Sequence, residues 1–342
     1  MTEMMKQIAL ASRPNGAPTP ENFRLEELPI PTPGEGEVLV RVHYMSLDPY
    51  MRGRMDDSKS YAANIPVDGK MEGGSVGEII ASNADGFEVG EFVMGGFGWA
   101  THAAVPATGL AKVDPKTAPI TYSLGVMGMP GFTGWLGLTE FGRPKSGETL
   151  VVAAATGPVG SMVGQVAKSM GLRVVGIAGG PDKCKMAVEQ FGFDECLDHY
   201  AYDTASALRK DLKAACPKGI DIYFENVGGK VLEAVLPLMN LHGRIPVCGM
   251  IAWYNGTSEV DNGLSGQQIW RHILVSSLSV NGFIISNFWN RLGDFHKAVG
   301  PMIAKGDIAV QEDITEGLEN APDAFIKLLT GGNTGKAMVK VI

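Results

Sequence analysis

Residues 154–168 read AATGPVGSMVGQVAK, a spacing suited to holding a phosphate. Ala155, Gly157 and Gly160 fill the three small positions of a G-x-G-x-x-G/A turn. Gly157 lets the backbone approach a pyrophosphate, and Gly160 lets the next helix pack tightly on the strand before it. Pro158 and Val159 lie between them at the helix start, where free N–H groups and the positive dipole end favour an anion. A lone glycine pattern is weak evidence, and an ordinary strand–turn–helix connection would also use one. Here an apolar run, ETLVVAAA (148–155), precedes the turn and a helical stretch to Met170 follows it. That is the context a dinucleotide site requires.

The end of the second strand, LRVVGIAGG (172–180), separates the two nicotinamide cofactors. An NAD site places Asp or Glu there to bond the ribose 2′-hydroxyl. This chain has Gly179 and Gly180, followed by Pro181, Asp182 and Lys183. With no carboxylate at the strand end and Lys183 close by, a 2′-phosphate fits better, and NADPH is the expected cofactor. Asp182 offsets part of that positive charge.

A catalytic metal is not expected. The six histidines are His43, His102, His199, His242, His272 and His296, and none pairs with a cysteine at a helical or turn spacing. The four cysteines, Cys184, Cys196, Cys216 and Cys248, are scattered, and the first 150 residues contain none. Zinc sites need clustered thiolate or imidazole ligands.

The elements that must position these residues follow from hydrophobic pattern. The chain has 342 residues and is 45% hydrophobic, long enough for two domains. Its 45 glycines have no collagen-like period and suit tight turns. Residues 36–47 alternate as a strand, with Val38, Val40 and Val42 on one face. Further strands are expected at 75–81 and 102–106, which makes a β-rich first part. From residue 148 strands and helices alternate. Strands are expected at 148–155, 172–180, 195–198, 220–228, 243–250 and 278–285, with a helix at 182–191, and this implies a parallel, doubly wound sheet. The tail carries a helix (DAFIKLL) and a strand (KAMVKVI).

A net charge of −8 argues against a nucleic-acid partner. No run of about 20 apolar residues is present, so no membrane span is expected. MTEMMKQIAL lacks the apolar core of a signal peptide, and a cytoplasmic location follows by default.

Seven motifs occur in order along nearly the whole chain: LDPYMRGRM (47–55), VMGMPGFTGWLGL (126–138), AATGPVGSMVGQVAK, FENVGG (224–229), CGMIAWYN (248–255), NGFIISN (281–287) and GGNTGKAMVKV (331–341). Together they resemble the medium-chain dehydrogenase/reductase family. The resemblance is to its zinc-free prostaglandin reductase / leukotriene dehydrogenase branch, and especially to bacterial NADPH-dependent curcumin reductases and plant alkenal reductases. The resemblance implies an α/β protein in which a Rossmann domain (128–309) is inserted into a GroES-like β-barrel domain (1–127 with 310–342). It also implies a homodimer.

Carried over by position, it implies cofactor contacts from Gly157, Pro158, Val159, Gly160 and Lys183. Asn226 would lie at the ribose and nicotinamide, with Cys248 and Tyr254 in the loop after the fifth strand. Phe283 and Ile285 would follow the sixth strand, and Asn333 would reach the cofactor from the other domain. Prostaglandin reductases carry a tyrosine near the 2′-phosphate where this chain places His199, with Tyr200 next; an alignment slip of one residue would exchange them.

The activity implied is reduction of the carbon–carbon double bond of an α,β-unsaturated ketone or aldehyde by hydride transfer to the β-carbon. The enolate oxygen then needs a donor, and the α-carbon needs a proton. Without zinc a tyrosine hydroxyl is a reasonable donor. Tyr254 is the candidate, and Tyr50 is the expected pocket residue that orients the substrate oxygen. Each could instead be a packed aromatic. Met127, Met129, Trp253, Phe288 and Trp289 could add apolar pocket surface or belong to the core. Two other functions stand as alternatives: an NADPH-dependent quinone oxidoreductase, which shares most cofactor motifs but which the CGMIAWYN loop disfavours, and a non-catalytic NADPH-binding sensor, against which Tyr50 and Tyr254 argue.

Overall fold

The computed structural model describes residues 3–256 and 264–342. The chain divides into two units, Met1–Gly128 with Glu312–Ile342, and Met129–Gln311.

The first unit opens with an antiparallel pair, β1 (Met4–Leu10) and β2 (Phe23–Pro29). Strand β3 (Glu37–Ser46) is the centre of the main sheet, followed by the short helix α1 (Met51–Arg54). It pairs antiparallel with β4 (Ser75–Ser82), and β4 with β5 (Phe92–Gly95). Strand β6 (His102–Pro106) returns to β3, and β7 (Ala111–Val113) pairs with β5. Val38, Val40 and Val42 are fully buried on one face, as period-two alternation requires.

The chain then forms the second unit. Helix α2 (Met129–Leu136) precedes β8 (Thr149–Ala153), α3 (Pro158–Ser169), β9 (Arg173–Ala178), α4 (Pro181–Glu189) and β10 (Glu195–Asp198). Next come α5 (Ala205–Ala215), β11 (Ile220–Phe224), α6 (Gly229–Val235) and β12 (Met239–Val247). Helix α7 (Gly266–Val275), β13 (Ser279–Gly282) and α8 (Leu292–Lys305) complete it. The sheet is parallel throughout, in the order β10-β9-β8-β11-β12-β13. The order reverses beside β8, the place where doubly wound sheets bind nucleotides. All five residues of β8 are buried, which explains its unbroken apolar run. Helix α5 shows the amphipathic rule: Ala205, Leu208, Leu212 and Ala215 are buried on one stripe, and Thr204 caps it at the Ala207 N–H.

The sequence-based strands at 220–228, 243–250 and 278–285 all overrun their observed ends. Beyond Phe224, Val247 and Gly282 the backbone leaves the ladder to make the loops that carry the candidate site.

The tail returns to the first unit with β14 (Glu312–Glu316), α9 (Ala321–Leu329) and β15 (Lys336–Lys340). β15 pairs parallel with β14 and antiparallel with β3. Phe325 of α9 packs edge-on against Trp99 at 5.6 Å, and Trp99 stacks on Phe23 at 5.6 Å, so the tail is part of the first unit's core. No helix among the described residues is long and apolar enough to cross a membrane.

Candidate active site

The phosphate turn forms as its glycines dictate. Gly157 caps α3 with extended backbone and Pro158 occupies its first turn, where no N–H is needed. No side chain caps this end, so its first-turn N–H groups are left for an anion. A Cβ on Gly160 would lie 2.3 Å from the Ala154 carbonyl oxygen, so only glycine lets the helix sit this close to the strand end. Ala154 has φ 51°, a left-handed turn that costs a non-glycine residue energy and aims the chain into the helix. Val159 is half-buried and Gly160 buried. These residues fit a dinucleotide pyrophosphate.

The loop after β9 is organised by Asp198, which sequence reasoning did not single out. Its Oδ1 accepts the Gly180 N–H at 2.7 Å and the Tyr200 N–H at 2.9 Å. The Lys230 ammonium donates to the backbone oxygens of His199 (2.8 Å) and Tyr202 (2.6 Å). The Tyr200 ring lies over Gly179, where a Cβ would come within 2.5 Å of it. Of the two neighbours, Tyr200 thus covers the strand end, with the His199 ring packed 4.3 Å from it. Burial, followed by the Lys230 charge, lowers the His199 pKa and favours the neutral imidazole. Lys183 is half-buried in the first turn of α4, beside the same loop.

The turn after β11 ties three strand ends together. Asn226 Nδ2 donates to the Ala153 carbonyl at the end of β8, 2.8 Å away. Its own carbonyl accepts the Ile251 N–H at 3.2 Å, and the Val227 carbonyl accepts the Ala252 N–H at 3.0 Å. Asn226 is therefore held beside the phosphate strand and fastened to the loop that carries Tyr254. The Cys248 N–H donates to the Glu225 carbonyl at 2.9 Å. Burial pushes the Cys248 thiol up to about 12, so it stays protonated at neutral pH. Tyr254 is half-buried, and its hydroxyl lies 3.4 Å from the Met250 backbone nitrogen, which donates to it. The Trp253 ring fills the space where Gly228 has no side chain.

Phe283 behaves differently. Its side chain is buried and stacks on Phe141 at 5.1 Å, so the ring is core and only its backbone lies at the strand end. Ile285 is half-buried at the start of the following helical turn. Of the other apolar candidates, Trp289 is 5.6 Å from Phe132 in an aromatic cluster with Phe295 and is itself exposed.

In the first unit, Tyr50 opens α1 with its ring partly covered by the core. Burial, then the charges of Asp48 and Glu72, raises its pKa, so the phenol remains protonated and able to donate. The Arg54 guanidinium sits 5.6 Å from this ring and 4.4 Å from that of Tyr61. A buried ion pair fixes the segment: Lys336 Nζ meets Asp48 Oδ1 at 2.9 Å and the Leu47 carbonyl at 2.8 Å, and Ser46 Oγ donates to the other Asp48 oxygen. Asn333, three residues before Lys336, donates its amide to the Gly335 carbonyl at 2.8 Å. Asp48 and Lys336 are nearly 300 residues apart, and no local pattern links them.

Among the described residues no group of three or more His, Cys, Asp and Glu side chains could hold a metal ion. Residues 6–113 match the family described as the N-terminal domain of oxidoreductase, and residues 158–302 match that described as zinc-binding dehydrogenase. Among the described residues, the ligands that the second description implies are not assembled. The chain is 50% identical to the NADPH-dependent curcumin reductase of Escherichia coli (strain K12), over 98% of this chain and 96% of the relative. It is 38% identical to the 2-alkenal reductase (NADP(+)-dependent) of Nicotiana tabacum, over 98% and 97%. The crystal structure of CurA from Vibrio vulnificus in complex with NADPH superposes with a TM-score of 0.93 at 50% identity, over 98% of this chain and 99% of that one. The phosphate turn, the sheet order and this full-length likeness place the chain in the medium-chain dehydrogenase/reductase family, in the branch of curcumin, alkenal and prostaglandin reductases.

Proposed function

We propose that this protein reduces the carbon–carbon double bond of α,β-unsaturated ketones and aldehydes with NADPH. The observation that carries the reading is full-length identity of 50% to a curcumin reductase, combined with an intact phosphate turn and no carboxylate at the end of β9. When bound, NADPH supplies the hydride that adds to the substrate β-carbon. Gly157, Pro158, Val159 and Gly160 hold the pyrophosphate, with Lys183 and the Tyr200 loop at the 2′-phosphate. Asn226, Cys248, Ile285 and the backbone at Phe283 hold the nicotinamide half, and Asn333 adds a contact from the tail. Tyr254 donates a hydrogen bond to the substrate oxygen as negative charge develops there, and Tyr50 orients the substrate.

The test is oxidation of NADPH with a linear enone such as 3-nonen-2-one, run beside NADH and a small quinone. Rapid NADPH oxidation with a saturated ketone as product supports the reading. Turnover of the quinone alone makes the protein a quinone oxidoreductase. Tight NADPH binding with neither turnover makes it a sensor.

We also infer a homodimer. Strand β13 ends the parallel sheet, and α7 next to it in sequence exposes Trp270 (71%), Leu274 (79%) and Val275 (67%). An open strand edge and apolar side chains of this size are what a second copy covers in a two-fold pairing. Light scattering on the wild type and on Trp270→Glu/Leu274→Glu checks it: a dimer that becomes a monomer supports the pairing, and a wild-type monomer removes it.

A further inference from the structure

Glu225, in the FENVGG motif, is 2% exposed and has no part in the chemistry above. A carboxyl this deeply buried is costly unless its oxygens do structural work. Its Oε1 accepts the Val227 N–H at 2.6 Å and the Gly228 N–H at 2.9 Å. Its backbone carbonyl accepts the N–H groups of Cys248 (2.9 Å) and Gly249 (3.2 Å), and its own N–H donates to Pro246 at 2.9 Å. One residue thus binds the turn that carries Asn226 and the root of the loop that carries Tyr254. The other oxygen, Oε2, is buried beside the Tyr223 hydroxyl, and neither atom makes a hydrogen bond of ordinary geometry. Burial raises the Glu225 carboxyl pKa, opposed by the amides of Val227 and Gly228, by Tyr223 and by the Asn226 amide. The side chain acts as a fixed acceptor, and an ordinary charge-paired carboxylate would have a cation here.

We propose that Glu225 is a positioning residue: its side-chain oxygen locks residues 226–228 in the shape that binds the nicotinamide half of the cofactor, and its reach, not its charge, is what matters. This rests on the NADPH reading of the site. Two substitutions separate reach from charge. Glu225→Gln keeps the chain length and the accepting oxygen, and its amide faces the Tyr223 hydroxyl, which can accept. Glu225→Asp keeps the acid but is one methylene too short to meet both N–H groups.

The experiment is titration of each full-length variant with NADPH, followed by nicotinamide fluorescence. Glu225→Gln is expected to bind within threefold of wild type, and Glu225→Asp at least tenfold more weakly. Equal binding by wild type and Glu225→Asp overturns the inference. So does a Glu225→Gln variant as weak as Glu225→Asp, because reach and an accepting oxygen are then not enough. A wild type that fails to bind NADPH removes the cofactor reading itself, a result visible before any variant is made. Amide exchange in the unliganded wild type supplies a measurement that needs no variant to fold. The Val227 and Gly228 amides are expected to exchange slowly, and fast exchange at both overturns the lock.

Discussion

The phosphate turn and the seat of Tyr50 are built by opposite means. The turn is made by one contiguous stretch, and its key property is the absence of side chains at Gly157 and Gly160. The seat of Tyr50 is made by side chains from distant parts of the chain, with Asp48 and Ser46 on one side and Lys336 on the other. A backbone-built site tolerates any change that leaves the backbone path open. A side-chain-built seat depends on every member, since removing one strands a buried charge.

The largest test of that contrast is Lys336→Met. It leaves Asp48, 6% exposed, without its cation, and a broken buried pair costs about 3–5 kcal/mol. The midpoint of denaturant unfolding is expected to fall accordingly. The double variant Asp48→Leu/Lys336→Met is expected to recover most of the loss, because it leaves no buried charge unpaired. If the single variant unfolds like wild type, the seat is not held by this pair, and the contrast fails.

Next comes Gly160→Ala. The added carbon meets a backbone oxygen that has no room to move, at 2.3 Å. Forced overpacking of this kind costs about 1–3 kcal/mol. NADPH affinity is expected to fall at least about tenfold at the corresponding cost of ~1.4 kcal/mol. Unchanged binding, read by fluorescence titration, would mean that the turn does not depend on close backbone approach.

Tyr254→Phe removes one hydroxyl from the loop after β12, and with it the acceptor of the Met250 N–H. Turnover of an enone is expected to fall at least about tenfold, the low side of what acid–base groups supply. NADPH affinity should hold, because the hydroxyl serves the substrate in this reading. Unchanged kcat would make Tyr254 a wall residue.

The smallest effect belongs to His199. Burial and Lys230 lower its folded-state pKa, so the ring gives no extra charge to a 2′-phosphate at pH 7–8. His199→Gln is expected to change NADPH affinity by less than about twofold there, since unperturbed histidine itself is mostly neutral above about pH 6.5. The unfolded chain takes up this proton before the folded one. The contribution of His199 to stability is therefore present above the ordinary histidine range and declines as pH falls through it. A strong loss of NADPH affinity in His199→Gln at pH 8 would assign it a direct phosphate contact.

The same contrast explains which features could be read in advance. Helix α3, strands β8 to β10 and the phosphate turn follow from period, glycine placement and an apolar run, all signals local to a few residues. The β1–β2 pair was missed because its strands are 12 residues apart, far more than the two-residue hairpin loop that a pair such as Asn15-Gly16 ordinarily closes. Asp198 was missed because its role is to hold two backbone N–H groups, and an acid at a strand end looks like any solvated carboxylate. Glu225 did leave a signal: an acid directly after Ile222-Tyr223-Phe224 at the end of a buried strand, where burial demands a reason.

The sequence alone determined the doubly wound sheet, the backbone of the phosphate turn and the lack of a carboxylate at the end of β9. Each depends on neighbours within about one turn or one strand, so the order of residue types is sufficient. Tertiary structure decided which of the neighbours His199 and Tyr200 lies over Gly179, namely Tyr200, and that the Phe283 ring belongs to the core. It also decided that Lys336 comes back across almost the whole chain to hold Asp48. These are contacts between segments that only the folded backbone brings together, and burial then gives each of them its chemical character.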